Sequence, residues 1–286
     1  MSLPQRSLRA AVAEISTARP PVAHVSVARL SLVCLAVGCF ALALSAAPSP
    51  SHAAKRVQCK KTERILVIGD SLAGSLWIGL YRAYRHDRCI KVVNKSKIST
   101  GIVRDDYYNW NRHGERLARA KRAKTVVIMV GGNDYQPIRV KGKRYRERLG
   151  TPLWQKTYSA RVKRLIESFT SRGARVFWVG MPIQRKKADD RIGVIINRIV
   201  AEHAKANDRA HYVHVYDMFK DRRGRYADHL VDPRSGKRRR MRDKDGMHFT
   251  TRGVLWLGAV VAKRLEAPAV IAKAKASEQA AKTVSP

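Results

Sequence analysis

Acidic residues are scarce. Asp and Glu number 22 against 58 Lys and Arg in 286 residues, a formal net charge of +36. Such an imbalance excludes a charge-neutral surface and points to anionic surroundings. Cysteine is scarce too, four in all, and neither a CxxC pair nor an HExxH motif occurs. No metal site and no cofactor is therefore expected. Glycine-rich nucleotide binders fail at the strand-to-helix turn where they would belong, ILVIGDSLAGS. Gly74 is followed by Ser75, without the Lys of a phosphate loop, and Ser71 stands where a dinucleotide fingerprint needs Gly. Ala73 breaks the Gly-x-Ser-x-Gly elbow. No internal repeat and no second domain is visible.

Long apolar runs are missing except for one, Leu30 to Ala47. Arg6, Arg9, Arg19 and Arg29 precede it, and Pro48-Ser49-Pro50-Ser51-His52-Ala53 follows. Ser51 and Ala53 are small residues at the −3 and −1 positions of a cleavage site, so residues 1–53 read as a signal peptide removed after Ala53. An uncleaved anchor over 30–47 is the alternative. The mature chain would keep about +33 of charge in the periplasm or outside the cell. There the expected partner is an anionic envelope surface, not nucleic acid. Cys34 and Cys39 would leave with the signal, and Cys59 and Cys89 in an oxidising compartment predict a disulfide.

Short apolar runs alternate with helical patterns. Strands are expected at Ile65–Ile68, Cys89–Val93, Lys124–Val130, Ala174–Val179 and His211–Val215. Helices are expected at Leu72–Tyr84, within Arg104–Arg122, and at Tyr158–Ser171, Ile192–Asn207 and Thr251–Leu265. Pro137–Arg148 reads as a basic loop and Lys220–Asp245 as a basic segment with room for a hairpin. This alternation predicts an α/β fold with a parallel sheet covered on both faces. Residues 54–266 form the domain and 267–286 a disordered tail.

Chemistry concentrates beyond strand ends. Ser71 follows the first strand and opens a helix, whose N-terminal N–H groups favour developing negative charge. A serine hydroxyl needs a base, and His248 in Asp245-Gly246-Met247-His248 is the candidate, with Asp245 spaced to orient its ring. Asp243 could replace Asp245 only if the loop bends back. His211 and His214 are read as core histidines without a carboxylate partner. Oxyanion donors are expected from the N–H groups of Ser71 and Gly101 and the side-chain amide of Asn133. Arg104, Asp105, Tyr107, Tyr108, Asn109 and Trp110 either line the cleft or pack as its rim. The run Lys237–Arg242 (KRRRMR) is either a solvated face or a guide for anions.

Four blocks in this order resemble the SGNH (GDSL) hydrolase superfamily. They are Gly69-Asp70-Ser71-Leu72, Gly101, Gly131-Gly132-Asn133-Asp134 and Asp245-Gly246-Met247-His248, and the likeness spans Arg64 to Leu265. Ser96 to Trp110 is similar to an uncharacterised bacterial exported branch. The resemblance implies a flavodoxin-like three-layer α/β/α sandwich, a five-stranded parallel sheet of order 2-1-3-4-5, and metal-free ester hydrolysis. Ser71 would be the nucleophile, His248 the base and then acid, and Asp245 its orienter. An acylated glycan or lipid of the envelope is the expected substrate. An O-acyltransferase using the same acyl-serine and a non-catalytic envelope-binding protein are the alternatives.

Overall fold

The computed structural model describes residues 59, 62–121 and 123–266. The expected signal peptide with its cleavage site, Cys34 and Cys39, and the expected tail lie outside them. Five parallel strands make the central sheet: β1 (Glu63–Gly69), β2 (Ile90–Ser96), β3 (Thr125–Met129), β6 (Arg175–Val179) and β7 (Ala210–Val213), in the spatial order β2-β1-β3-β6-β7. Counted along the chain, the parallel strands run 2-1-3-4-5. The ribbons β4 (Ile138–Arg139) with β5 (Arg146–Glu147), and β8 (His229–Val231) with β9 (Arg238–Arg240), stand outside this sheet.

The middle strands are apolar over most of their buried length because both faces are covered. Ile65 to Ile68 and Thr125 to Met129 are all buried. Helices α1 (Ser71–Tyr84), α2 (Trp110–Lys121), α3 (Pro152–Thr170), α4 (Lys187–Lys205) and a last helix, α5 (residues 251–266), flank them. Helices α2, α3 and α4 pack side by side. Helix α1 meets α5 through facing glycines. A Cβ on Gly79 would lie 2.3 Å from the Val254 carbonyl oxygen, and one on Gly258 would lie 2.3 Å from the Gly79 carbonyl carbon. The apolar stripe of α1, Leu72, Leu76 and Leu80, is fully buried, each side chain contributing about 1.5–3 kcal/mol of burial.

Several boundaries differ from expectation. Strand β2 continues through Asn94, Lys95 and Ser96, paired with Val67, Ile68 and Gly69. It is an edge strand, and backbone pairing with β1 holds it without apolar side chains. Helix α3 starts six residues before Tyr158, where the Thr151 hydroxyl accepts from the Trp154 N–H and Pro152 takes the first position. Helix α4 starts at Lys187, with Asp189 and Asp190 in its first turn. The stretch expected as a plain basic loop carries the β4–β5 ribbon, and the basic segment does fold back as the β8–β9 hairpin. Cys59 and Cys89 form a disulfide beside the start of β1, where the Glu63 N–H donates to the Cys89 carbonyl.

Candidate active site

Strand β1 ends at Gly69, whose φ of +132° suits glycine alone, and a Cβ there would lie 1.8 Å from the Met129 carbonyl oxygen. The chain can therefore turn tightly against β3 and present Ser71 as the first residue of α1. Between them Asp70 is completely buried. Its Oδ1 accepts from the Leu72 N–H at 2.9 Å, capping α1, and its Oδ2 accepts from the N–H groups of Gly131 at 3.0 Å and Gly132 at 2.8 Å. Burial pushes the Asp70 carboxyl up to about 6 despite these three donors. One side chain thus welds the serine turn to the Gly131–Asp134 turn after β3.

That second turn is tied in the same way to the loop carrying Gly101. Asp134 is also fully buried, and it accepts from the N–H groups of Ile102 and Val103, each at 3.0 Å, and from the Tyr158 hydroxyl at 2.9 Å. Burial raises its carboxyl as well. A Cβ on Gly101 would lie 2.1 Å from Asp134 Oδ1, so the close approach requires glycine. Asn133 donates its side-chain amide to the Thr100 carbonyl at 2.9 Å, fixing its orientation beside Gly101. Ser99, just before, has φ +59°, the only non-glycine residue in that region among the described residues. The structural ties here are made by Asp70, Asp134 and Tyr158, none of which the sequence marks as a site residue. Asp70 carries a recognisable signal, an Asp immediately before a helix. Asp134 closes the Gly131-Gly132-Asn133-Asp134 block, whereas Tyr158 carries no signal beyond its helical spacing.

His248 arrives from the other end of the sequence. Its Nε2 lies 2.8 Å from Ser71 Oγ, and its Nδ1 lies 2.5 Å from Asp245 Oδ2. Asp245 Oδ1 accepts from the N–H groups of Met247 at 2.8 Å and His248 at 2.9 Å. Partial burial pushes the Asp245 carboxyl up, but the bonds from His248 and Met247 outweigh it and hold the group down at about 2. An ionised carboxylate can only accept, so Nδ1 carries the ring proton and the Nε2 lone pair faces the hydroxyl. The His248 and Asp245 side chains are 35% and 48% exposed, so the site is an open rim and not a sealed pocket. Asp243 does fold back, but through its backbone: its N–H donates to the His248 carbonyl, and its carboxylate accepts from the Lys244 N–H.

Under this loop sits Arg242, the last residue of the basic run. Both readings of that run, solvated face or anion guide, fail for it, because Arg242 is completely buried. Its guanidinium donates to the carbonyls of Ile183 at 2.7 Å, Gly246 and Met247 at 2.9 Å each, and His248 at 3.3 Å. The rings of Phe219, Tyr226 and Phe249 surround it at 5.1–5.2 Å. Burial lowers its pKa to about 10, which leaves it charged at neutral pH. Arg185 supports the same loop by donating to the Lys244 carbonyl.

The remaining candidates are dispersed. His211 packs on Phe177. His214 lies beyond the end of β7 and does have a carboxylate partner, Asp217 at 2.6 Å, contrary to expectation, because the chain turns into a 3₁₀ helix at Tyr216–Phe219. Trp110 is buried and donates its indole N–H to Thr100 Oγ1, with Tyr108 edge-on against it; these two form a packed rim, while Tyr107 is exposed. Ser159 also touches a histidine, His203 at 2.7 Å, but that contact joins α3 to α4 with no carboxylate on the other ring nitrogen among the described residues.

Comparison with solved structures returns hydrolase folds. A protein from Bacteroides fragilis designated an acylhydrolase matches at 13% identity over 74% of this chain and 92% of its own, with a TM-score of 0.50. A GDSL-like lipase from Bacteroides thetaiotaomicron matches at 16% identity over 72% and 89%, TM-score 0.49. A catalytic mutant of an acetylxylan esterase from Geobacillus stearothermophilus matches at 18% identity over 72% and 95%, TM-score 0.46. At these identities the likeness is one of fold, a three-layer α/β/α architecture. No curated protein matches the sequence. The family model that does match covers residues 64–264, from β1 to the last helix, and the chain belongs to the family it describes, Protein of unknown function (DUF459).

Proposed function

We propose that this protein is an exported serine ester hydrolase that removes O-acyl groups, O-acetyl among them, from a glycan or lipid of the cell envelope. One observation carries the reading: Ser71 Oγ, His248 Nε2 and Asp245 Oδ2 form an unbroken hydrogen-bonded chain at the carboxyl end of β1. Nε2 takes the hydroxyl proton as Oγ bonds to the acyl carbon. The carbonyl oxygen gains negative charge, and the Ser71 and Gly101 N–H groups with the Asn133 amide are the donors assigned to it. Collapse breaks the ester C–O bond, and His248 gives its proton to the departing alcohol. Water then repeats the sequence on the acyl-serine, releasing the carboxylic acid and restoring the serine.

The disulfide supports export, since such bonds persist in oxidising compartments. The half-exposed rim favours a second reading, acyl transfer, because a sugar hydroxyl can approach the acyl-serine as readily as water. Dividing a labelled acyl donor between water and added glycan separates the two. The primary test is labelling with a serine-reactive phosphonate followed by peptide mass spectrometry. Modification of Ser71, lost in Ser71→Ala and His248→Ala together with p-nitrophenyl acetate turnover, is the expected result. Modification of another serine overturns the assignment.

A further inference from the structure

A cleft of about 880 Å³ lies between the segment after Gly101, the start of α2, the turn joining β4 to β5, and the first turns of α3. Two carboxylates line it, and both are engaged: Asp105 by Arg161 at 2.8 Å and Glu115 by Arg164 at 3.0 Å. Arg112, Arg139, Lys141, Lys143 and Lys156 line it with no carboxylate partner among the described residues. Charge density alone would mean little in so basic a chain. What distinguishes these five exposed cations is that they all line one recess.

The recess is built onto the loop proposed to hold the oxyanion. Arg161 donates to the carbonyls of Ile102 at 2.8 Å, Val103 at 3.0 Å and Arg139 at 2.6 Å, tying the ribbon to that loop. Ile102 and Val103 are the residues whose N–H groups Asp134 holds. Asp105 in the cleft wall follows Gly101 by four residues, so their Cα atoms are within about 14 Å. The cleft wall is therefore continuous along the chain with the loop that carries Gly101. The size suits a short oligosaccharide. A membrane surface would need protruding cations with apolar side chains between them; a recess admits a single narrow chain.

We propose that this cleft binds the carboxylate-bearing sugars of an acidic polysaccharide and presents its O-acyl groups to Ser71. The inference rests on the ester hydrolase reading for the second half of that statement only. Binding is measured by calorimetry on the Ser71→Ala protein, using oligogalacturonate, neutral dextran oligomers, phosphatidylglycerol vesicles and single-stranded DNA as probes. The expected result is salt-sensitive binding of oligogalacturonate over dextran, weakened about tenfold in Lys141→Ala/Lys143→Ala/Lys156→Ala and retained when the same lysines become arginine. These lysines are exposed, so the variants keep the fold. Oligogalacturonate affinity unchanged in the triple variant, or vesicles or DNA as the only ligands it loses, overturns the proposal. With Ser71 present, the triple variant should raise KM about tenfold on O-acetylated polygalacturonate relative to acetylxylan. A wild-type protein that cleaves no ester removes the hydrolase reading, and the calorimetry still decides the cleft.

Discussion

Replacing Arg242 by Met tests whether the histidine loop is held from beneath. The substitution keeps a long side chain among Phe219, Tyr226 and Phe249 but strips three short hydrogen bonds, to Ile183, Gly246 and Met247, and a longer one to His248. Bonds from a charged donor contribute about 1.5–3 kcal/mol each, so the short ones amount to about 5–9 kcal/mol gross. Relief from burying a guanidinium returns several kcal/mol of that. A net loss of about 3 kcal/mol remains, which for a domain of this size lowers Tm by about 6–12 °C. Freed carbonyls at positions 246–248 also let the imidazole drift, and misplacement by about 1 Å costs on the order of 10²-fold in rate. Urea unfolding reads the first effect, and kcat on p-nitrophenyl acetate, measured well below the new Tm, reads the second. Arg242→Lys, with one donor point in place of a fork, should fall between the two. An Arg242→Met protein within 1 kcal/mol of wild type and with full kcat refutes the reasoning.

Four other outcomes follow from the geometry. Asn133→Ala should lower kcat on the order of 10²–10³ with little change in stability, and an unchanged kcat removes the amide from the oxyanion site. Gly101→Ala puts a methyl 2.1 Å from Asp134 Oδ1, so its Tm should drop and esterase activity with it; a normal melting curve contradicts the close approach. Reducing the Cys59–Cys89 bond, which closes a loop with a sequence separation of 30, should cost about 3–4 kcal/mol in urea unfolding. Asp70 has a folded-state pKa of about 6 against an ordinary 3.8, so the folded state holds its proton more tightly. Its burial therefore costs about 3 kcal/mol above pH 6, and that cost fades as pH falls toward 4. Unfolding free energies of wild type and Asp70→Asn, compared between pH 4 and pH 7, should diverge with this slope.

The sheet was readable because its inner strands are apolar on both faces, as in Ile65–Ile68 and Thr125–Met129. The outer half of β2 was not, since Asn94, Lys95 and Ser96 owe their conformation to pairing with β1 and not to their own side chains. The start of α3 was written in Thr151-Pro152, a cap signal that apolar spacing from Tyr158 onward obscured. At the site, Ser71, Asp245 and His248 could be picked out because their chemistry depends on residue type and short spacing. Arg242 could not. Nothing in KRRRMR distinguishes the one cation that turns inward, because its burial is decided by carbonyls from Ile183 and from the loop it precedes. His214 differs from expectation for a similar reason: only the turn after β7 brings Asp217 within reach.

The distance of 177 positions along the chain from Ser71 to His248 has a consequence for biosynthesis. The hydroxyl belongs to the opening strand–helix unit, whereas the imidazole enters only after the whole sheet and the second hairpin have been made. A polypeptide interrupted before His248 holds the Ser71 hydroxyl without this imidazole, however well its earlier part has folded. On the mechanism proposed above, the site is completed late, when the segment carrying His248 docks beside Ser71.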